Sequence, residues 1–334
     1  YFALLEKRKE VCLGMLRRWC LPKITAGVRF YDRPDQVGDT QQIGYHRGFP
    51  YFMHVADGQT FGVIWDLQRF AEGFRTAIEQ TTLRGLYLED RYTPHLTTIL
   101  HSPASRQLSA LGLELREQTR NEPRSCVEVF LSTPLPNDLR WLNLRSLSST
   151  NDVAKLAQSE SFHQLKRFEA YPLQCEERPL ENLFESFWFG RLKRVRLGLS
   201  AENAPAAQLL AHLDSLEILE LSDLPARGFV AFGPQQLYST LGSLTVSAQL
   251  HGEGCRQISR TRLPSLVALD LTGDIQNSDL QQLLRAKWFG QLRSLTLSSE
   301  KISDEGVLAL AANPCAQQLR ILRLGNQPIG KTGL

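Results

Sequence analysis

The chain has 334 residues, of which 42% are hydrophobic and 22% charged, an ordinary balance for a folded protein with a sizeable core. A formal net charge of +3 is too small to argue for nucleic-acid binding by itself. No apolar run approaches the roughly 18 residues needed to span a bilayer, so no membrane-spanning helix is expected.

Residues 2–20 place Leu5, Val11 or Cys12, Met15, Leu16 and Trp19 at helical spacing, as in an amphipathic helix. The opening Tyr1-Phe2-Ala3-Leu4-Leu5-Glu6-Lys7-Arg8 is too charged for a signal peptide. It has no initiating Met, and Gly330 to Leu334 stops partway through a recurring unit, so flanking residues are expected on both sides. Residues 31–48 are polar, contain Pro34, Gly38, Gly44 and Gly48, and read as a long mobile loop. Phe49 to Val55 reads as a strand and Asp66 to Gln80 as a helix. Residues 1–82 are therefore expected to form an N-terminal cap of helix, mobile loop and atypical first strand–helix unit.

Beyond the cap, the pattern Leu-x-x-Leu-x-Leu, or a close variant, returns ten times at intervals of 24 to 31 residues. The copies begin at Leu83, Leu108, Leu139, Leu165, Leu192, Leu216, Leu241, Leu266, Leu292 and Leu319. Positions four and six alternate with polar neighbours, which is the period of a half-buried strand. In the copy at Leu292, a loop from Ser298 to Ile302 follows the strand, and Asp304 to Ala312 reads as a short helix. Ser303 or Asp304 can cap its start, and Asn313-Pro314 ends it. Similar helical halves are Asn151 to Ala157, Asn203 to Ala211 and Ser278 to Leu284.

Two copies are irregular. The one from Leu108 carries a polar insertion, Arg120-Asn121-Glu122-Pro123-Arg124, and Ser247 to Pro264, with Gly252 and Gly254, predicts loop or broken helix. Trp188-Phe189-Gly190 and Trp288-Phe289-Gly290 precede two strands, where their aromatics are expected to fill the core as each helix returns. One such unit offers too few apolar side chains to close a core, so neighbours must stack, strands on one side and helices on the other.

These copies are identified as a leucine-rich-repeat array over residues 83–334, about ten repeats with the last truncated. The segments from Leu295 through Ile302 to Gly306, and from Leu322 through Ile329 to Gly333, resemble the ribonuclease-inhibitor-like subclass. Arg17-Arg18-Trp19, Arg47-Gly48-Phe49 and Phe70-Ala71-Glu72-Gly73-Phe74 are similar to the region ahead of the repeats in bacterial leucine-rich-repeat proteins with a repeat-companion domain. The resemblance implies an α/β solenoid with a curved parallel sheet inside and helices outside. It also implies an interaction module without catalytic residues. One departure is the Asn or Cys that many such repeats carry after the strand. Here the positions read Glu300, Asp274 and Leu224, so no Asn ladder is visible.

Little in the chain suggests reaction chemistry. The six cysteines, Cys12, Cys20, Cys126, Cys175, Cys255 and Cys315, are dispersed and read as free thiols in a reducing, cytoplasmic compartment. Seven histidines are scattered, and His251-Gly252-Glu253-Gly254-Cys255 has no second cluster at zinc spacing. Gly325-Asn326-Gln327-Pro328-Ile329-Gly330-Lys331-Thr332 matches the Walker pattern literally. However, Leu324 and Ile329 hold repeat-core positions, and Pro328 removes an N–H that a phosphate cradle needs. No enzyme activity, cofactor or metal is expected.

In each copy, positions three, five and seven point away from the core. Three successive copies place Trp141, Asn143 and Arg145, then Arg167, Glu169 and Tyr171, then Arg194, Arg196 and Gly198 there, and position two adds Arg140, Lys166 and Lys193. Exposed aromatics among arginines have the composition of interaction hot spots; the plainer reading is a solvated basic face. The sequence thus points to a non-catalytic protein–protein interaction scaffold. Its partner, a protein with an acidic surface, would be met by Arg140, Trp141, Asn143, Arg145, Arg167, Tyr171, Arg194 and Arg196. The alternatives are anion or nucleic-acid binding through the same patch, or a recognition module of a larger enzyme whose catalytic part lies elsewhere.

Overall fold

A computed structural model describes residues 29–31, 42–46, 49–55, 84–88, 96–101, 103–115, 125–200, 204–248, 250, 252–325, 328 and 330. The expected helices at 2–20 and 66–80, the insertion at 120–124, and Leu83 lie outside them. The chain divides into two compact units, residues 1–146 with 159–165 and residues 147–158 with 166–334.

In the first unit, β1 (Arg29–Tyr31) pairs parallel with β2 (Gln42–His46), and β2 pairs antiparallel with β3 (Phe49–Val55). Parallel pairs then follow in chain order through β4 (Gly85–Leu88), β5 (Ala110–Glu114) and β6 (Trp141–Leu147). Part of the stretch expected to be a mobile loop is therefore strand. Ile43 and Tyr45 alternate with Gln42, Gly44 and His46, and pairing with β3 outweighs the glycine content. Leu86, Leu88, Leu111, Leu113, Leu142 and Leu144 are buried on one face. Two helices, α1 (Leu96–His101) and α2 (Cys126–Ser132), follow β4 and β5. Reciprocal bonds fix the start of α2: Glu128 N–H donates to Ser125 Oγ at 3.1 Å, and Ser125 N–H donates to Glu128 Oε2 at 3.0 Å. The rings of Phe130 and Phe162 lie 6.0 Å apart in this unit's core.

The second unit holds an all-parallel run, β7 (Arg167–Leu173), β8 (Arg194–Leu199), β9 (Ile218–Leu224), β10 (Ser243–Ala248), β11 (Ala268–Thr272), β12 (Ser294–Ser298) and β13 (Ile321–Gly325), each paired with the next. Its helices are α3 (Thr150–Gln158), α4 (Glu177–Glu185), α5 (Glu253–Arg260), α6 (Asn277–Leu284) and α7 (Asp304–Ala312). After β8 and β9 the connecting helices are 3₁₀, Ala204–His212 and Ala226–Ala231. The larger rise of a 3₁₀ helix, about 2.0 Å per residue, spans the return with fewer residues, and the shortest interval, 24 residues, falls here.

Ser247 to Pro264 is not the loop or broken helix expected from its glycines, because α5 makes two turns there. Its inner face is Gly254, Cys255 and Ile258, all buried, and Gly254 lies so close to the Phe229 ring that an added Cβ would come within 2.8 Å of it. Small residues replace leucines on that face, so the helical period was faint.

One backbone device recurs along the second unit. Two successive N–H groups donate to one carbonyl of the preceding copy: Glu217 and Ile218 to Lys193 (2.8 and 2.9 Å), Gly242 and Ser243 to Glu217 (2.9 and 3.1 Å), Val267 and Ala268 to Gly242 (2.9 and 3.0 Å). Side chains add ties between turns, Thr240 Oγ1 to the Leu216 carbonyl at 2.9 Å, Ser265 Oγ to Ser239 at 2.7 Å, and Gln291 Nε2 to Leu263. Buried Ser299, one residue ahead of Glu300, donates to the Ile275 carbonyl at 2.9 Å. Ser303 stands at the start of α7 but makes no side-chain cap. Its hydroxyl accepts from Asn277 Nδ2 at 2.8 Å instead.

Trp188 and Trp288 are both buried, as expected for core aromatics. Trp188 packs 5.5 Å from Phe168 and donates its indole N–H to the Leu156 carbonyl at 3.2 Å. The Trp288 indole N–H has no partner among the described residues. Cys126, Cys175, Cys255 and Cys315 carry free thiols. Among the described residues, no helix is long and apolar enough to cross a membrane.

Candidate functional site

The alternation along each strand separates a core face from an open face. In β9, Leu219 and Leu221 are buried on one side, while Ile218, Glu220 and Ser222 are half-buried on the other. The expected binding residues fall into two groups, one in each unit. Arg140, Trp141, Asn143 and Arg145 stand at or on β6 in the first; Arg167, Tyr171, Arg194 and Arg196 stand on β7 and β8 in the second.

In the first group, Arg140 and Arg145 are exposed and Asn143 is half-buried. Trp141 is not the exposed aromatic the sequence suggested: it is 8% exposed and clusters with Tyr87 and Ala110. Its register partner is Ala110, whose methyl leaves room for both rings. The Tyr87 ring lies across Gly112, where a Cβ would come within 2.1 Å of Cδ2, and the Arg145 guanidinium sits 5.7 Å from the ring centroid. Truncating Trp141 would therefore remove core rather than surface.

The second group is more ordered and less basic than its sequence. Arg167 bonds the carboxylate of Glu169, which is buried. The register sets Arg194 beside Arg167 and Arg196 beside Glu169. Arg194 bonds Glu220 Oε1, and Arg196 Nε lies 3.7 Å from Glu220 Oε2, so one carboxylate stands between two guanidinium groups. Lys193 pairs with Glu217 at 2.6 Å. Three arginines expected to offer free positive charge are thus largely compensated within the face. The missed signal was spacing: Glu220 holds position five of its copy, directly across from Arg196.

Tyr171 keeps its expected exposure at 41%. Its ring lies over Gly198, where a Cβ would come within 2.2 Å of Cδ2, and its hydroxyl donates to Asp223 Oδ2 at 2.7 Å. Asp223 has a positive φ of 52°, a conformation Asp tolerates better than most residues. A tyrosine clamped at both ends is a rigid aromatic surface.

Farther along, the open face carries Ser243, Thr245 and Ser247, then Asp270 and Thr272, then Ser294, Thr296 and Ser298. Asp270, which the sequence reading passed over, is half-buried, and this burial raises its carboxyl above the usual range; Arg323 opposes the shift and Glu220 adds to it.

Elsewhere in the second unit, an open polar depression of about 520 Å³ is lined by Gln276, Asn277, Ser278, Gln281, Lys301 and Glu305, none of them an expected binding residue. Among the described residues, no three His, Cys, Asp or Glu side chains are grouped to hold a metal. Burial, with Asp279 adding to it, pushes the Cys255 thiol up to about 12, where a thiolate is scarce. In the Walker-like stretch, the Gly330 N–H donates to Asp304 Oδ1 at 2.7 Å, occupying a donor a phosphate would require. No protein-family model matches the chain, and no curated protein matches its sequence.

Proposed function

We propose that the chain is a leucine-rich-repeat protein, similar to the ribonuclease-inhibitor-like subclass, whose role is to hold a protein partner without catalysis. The partner meets the open sheet face of the second unit. One observation carries this reading: Tyr171 is exposed yet fixed, by Gly198 beneath its ring and Asp223 at its hydroxyl. Holding a large aromatic at the surface lowers the ordering cost of binding, which is the usual property of an anchor residue. Arg194 and Arg196, braced by Glu220, stand on the strand that Tyr171 covers and offer donors to an acidic group of the partner. Arg140 and Arg145 present the same chemistry on the open face of the first unit.

Nucleic-acid binding has less support, because Glu169, Glu220, Asp223 and Asp270 interrupt any run of phosphate contacts along the second unit. The free thiols of the four described cysteines accord with a reducing, cytoplasmic location. The test is a double variant, Tyr171→Ala with Arg196→Ala, at two partly exposed positions. Capture of the partner from the source cells is expected to fall at least tenfold, with circular dichroism unchanged. Undiminished capture would remove the assignment. A steep loss of wild-type binding with salt would move the reading to phosphate.

A further inference from the structure

Among the described residues, several charged side chains on the open face of the second unit are paired in place. Glu169 is held by Arg167, and Glu220 by Arg194 and Arg196. Asp270 stands apart. Cross-strand register places it in the row Glu220, Thr245, Asp270, Thr296 and Arg323, on five adjacent strands. Glu220 and Arg323 lie two strands away on either side; Arg323 favours the charged carboxyl from that range and Glu220 opposes it, and no ion pair to Asp270 forms among the described residues. Its immediate neighbours in the row are the threonines, which carry no charge.

The residues flanking this row on the same strands, Ser243, Ala268, Ser294, Ser247, Thr272 and Ser298, are small. They leave a floor at backbone level into which a long side chain can descend. Half-burying a carboxylate with only a distant cation is unfavourable, as the raised carboxyl shows.

We infer that Asp270 is the docking point for a lysine or arginine side chain of the partner protein, received on the hydroxyl-lined floor of β10 to β12. This deepens the proposed binding role and rests on it: the partner carries acid toward Arg194 and Arg196 on β8 and a basic side chain about 14 Å farther along the sheet, three strand spacings away on β11. Charge complementarity selects a basic peptide group over a phosphate, which Asp270 would repel.

A random-peptide display library, selected against the full chain, tests this directly. Peptides retained by the wild type are expected to share one Lys or Arg position and to lose at least tenfold in affinity against Asp270→Asn, about 1.4 kcal/mol. Thr296→Arg supplies an internal cation beside Asp270 and is expected to abolish the same selection. Melting curves on both variants verify folding. If the retained peptides bind both variants as tightly as the wild type but are lost with Tyr171→Ala, the role of Asp270 is refuted and the binding face stands. If the wild type retains no peptide that depends on either residue, both readings fall.

Discussion

Two glycines on the open faces make a paired experiment, because they have the same geometry and different surroundings. An added methyl at Gly112 would meet Tyr87 Cδ2 at 2.1 Å, and one at Gly198 would meet Tyr171 Cδ2 at 2.2 Å. Either ring must retreat by more than about 1 Å to reach ordinary carbon contact. Tyr87 is 3% exposed, walled by Trp141 and covered by Arg145, so it has nowhere to go. Overpacking of that kind costs about 1–3 kcal/mol, and displacing the ring forfeits an Arg–aromatic contact of about 0.5–1 kcal/mol. Tyr171 is 41% exposed and can swing outward. It loses its bond to Asp223, about 0.5–1.5 kcal/mol, while alanine in a strand recovers about 0.5–1 kcal/mol over glycine. With the same alanine gain in β5, Gly112→Ala should destabilise by about 1–3 kcal/mol, and Gly198→Ala should fall within about 1 kcal/mol of neutral. Urea unfolding followed by circular dichroism gives the totals, and hydrogen exchange assigns each loss to β5 or β8. Gly198→Ala should nonetheless weaken partner capture, since the anchor has moved. Equal losses of stability, or a larger one at Gly198, would show that the rings are not held as described.

Three further outcomes are expected. Trp188→Phe leaves the Leu156 carbonyl without its donor, whereas Trp288→Phe removes a buried N–H that has no described partner, so the first should cost about 2 kcal/mol more in chemical denaturation. Asp270 has a raised carboxyl pKa in the folded state, so its ionisation opposes folding as pH rises through that range. Asp270→Asn should thus be more stable than the wild type at neutral pH and indistinguishable from it below the ordinary range of an unfolded aspartate; thermal melts across pH show whether the curves converge on acidification. Under native conditions an alkylating reagent should modify exposed Cys315 and spare buried Cys255 until unfolding, as read by peptide mass spectrometry.

The strand positions were legible because position four of each copy is a large apolar residue whose burial leaves no alternative register, as at Leu219, Leu244 and Leu269. The helical halves were legible only where leucines mark the period. Gly254 and Cys255 hide it in α5, and the choice of 3₁₀ over α after β8 depends on how much chain is available, which composition does not reveal. At the candidate face, the alternation marks which residues lie opposite the core leucines, but not which of them meet or how exposed each one is. Trp141 is buried through Tyr87, 54 residues away along the chain, and the arginines are compensated by Glu169 and Glu220. Such pairings depend on cross-strand register between copies, and position within a single copy does not carry it.

The central claim, that the open face of the second unit captures a protein, is tested most directly by photo-crosslinking from two positions in the source cells. A photoreactive residue at Thr272, exposed on the open face, is compared with one at Arg178, exposed on α4. A discrete protein adduct should form from position 272 and disappear in the Tyr171→Ala, Arg196→Ala background, with none of it from position 178. The same adducts from both positions, or an adduct at 272 indifferent to Tyr171 and Arg196, would contradict the claim.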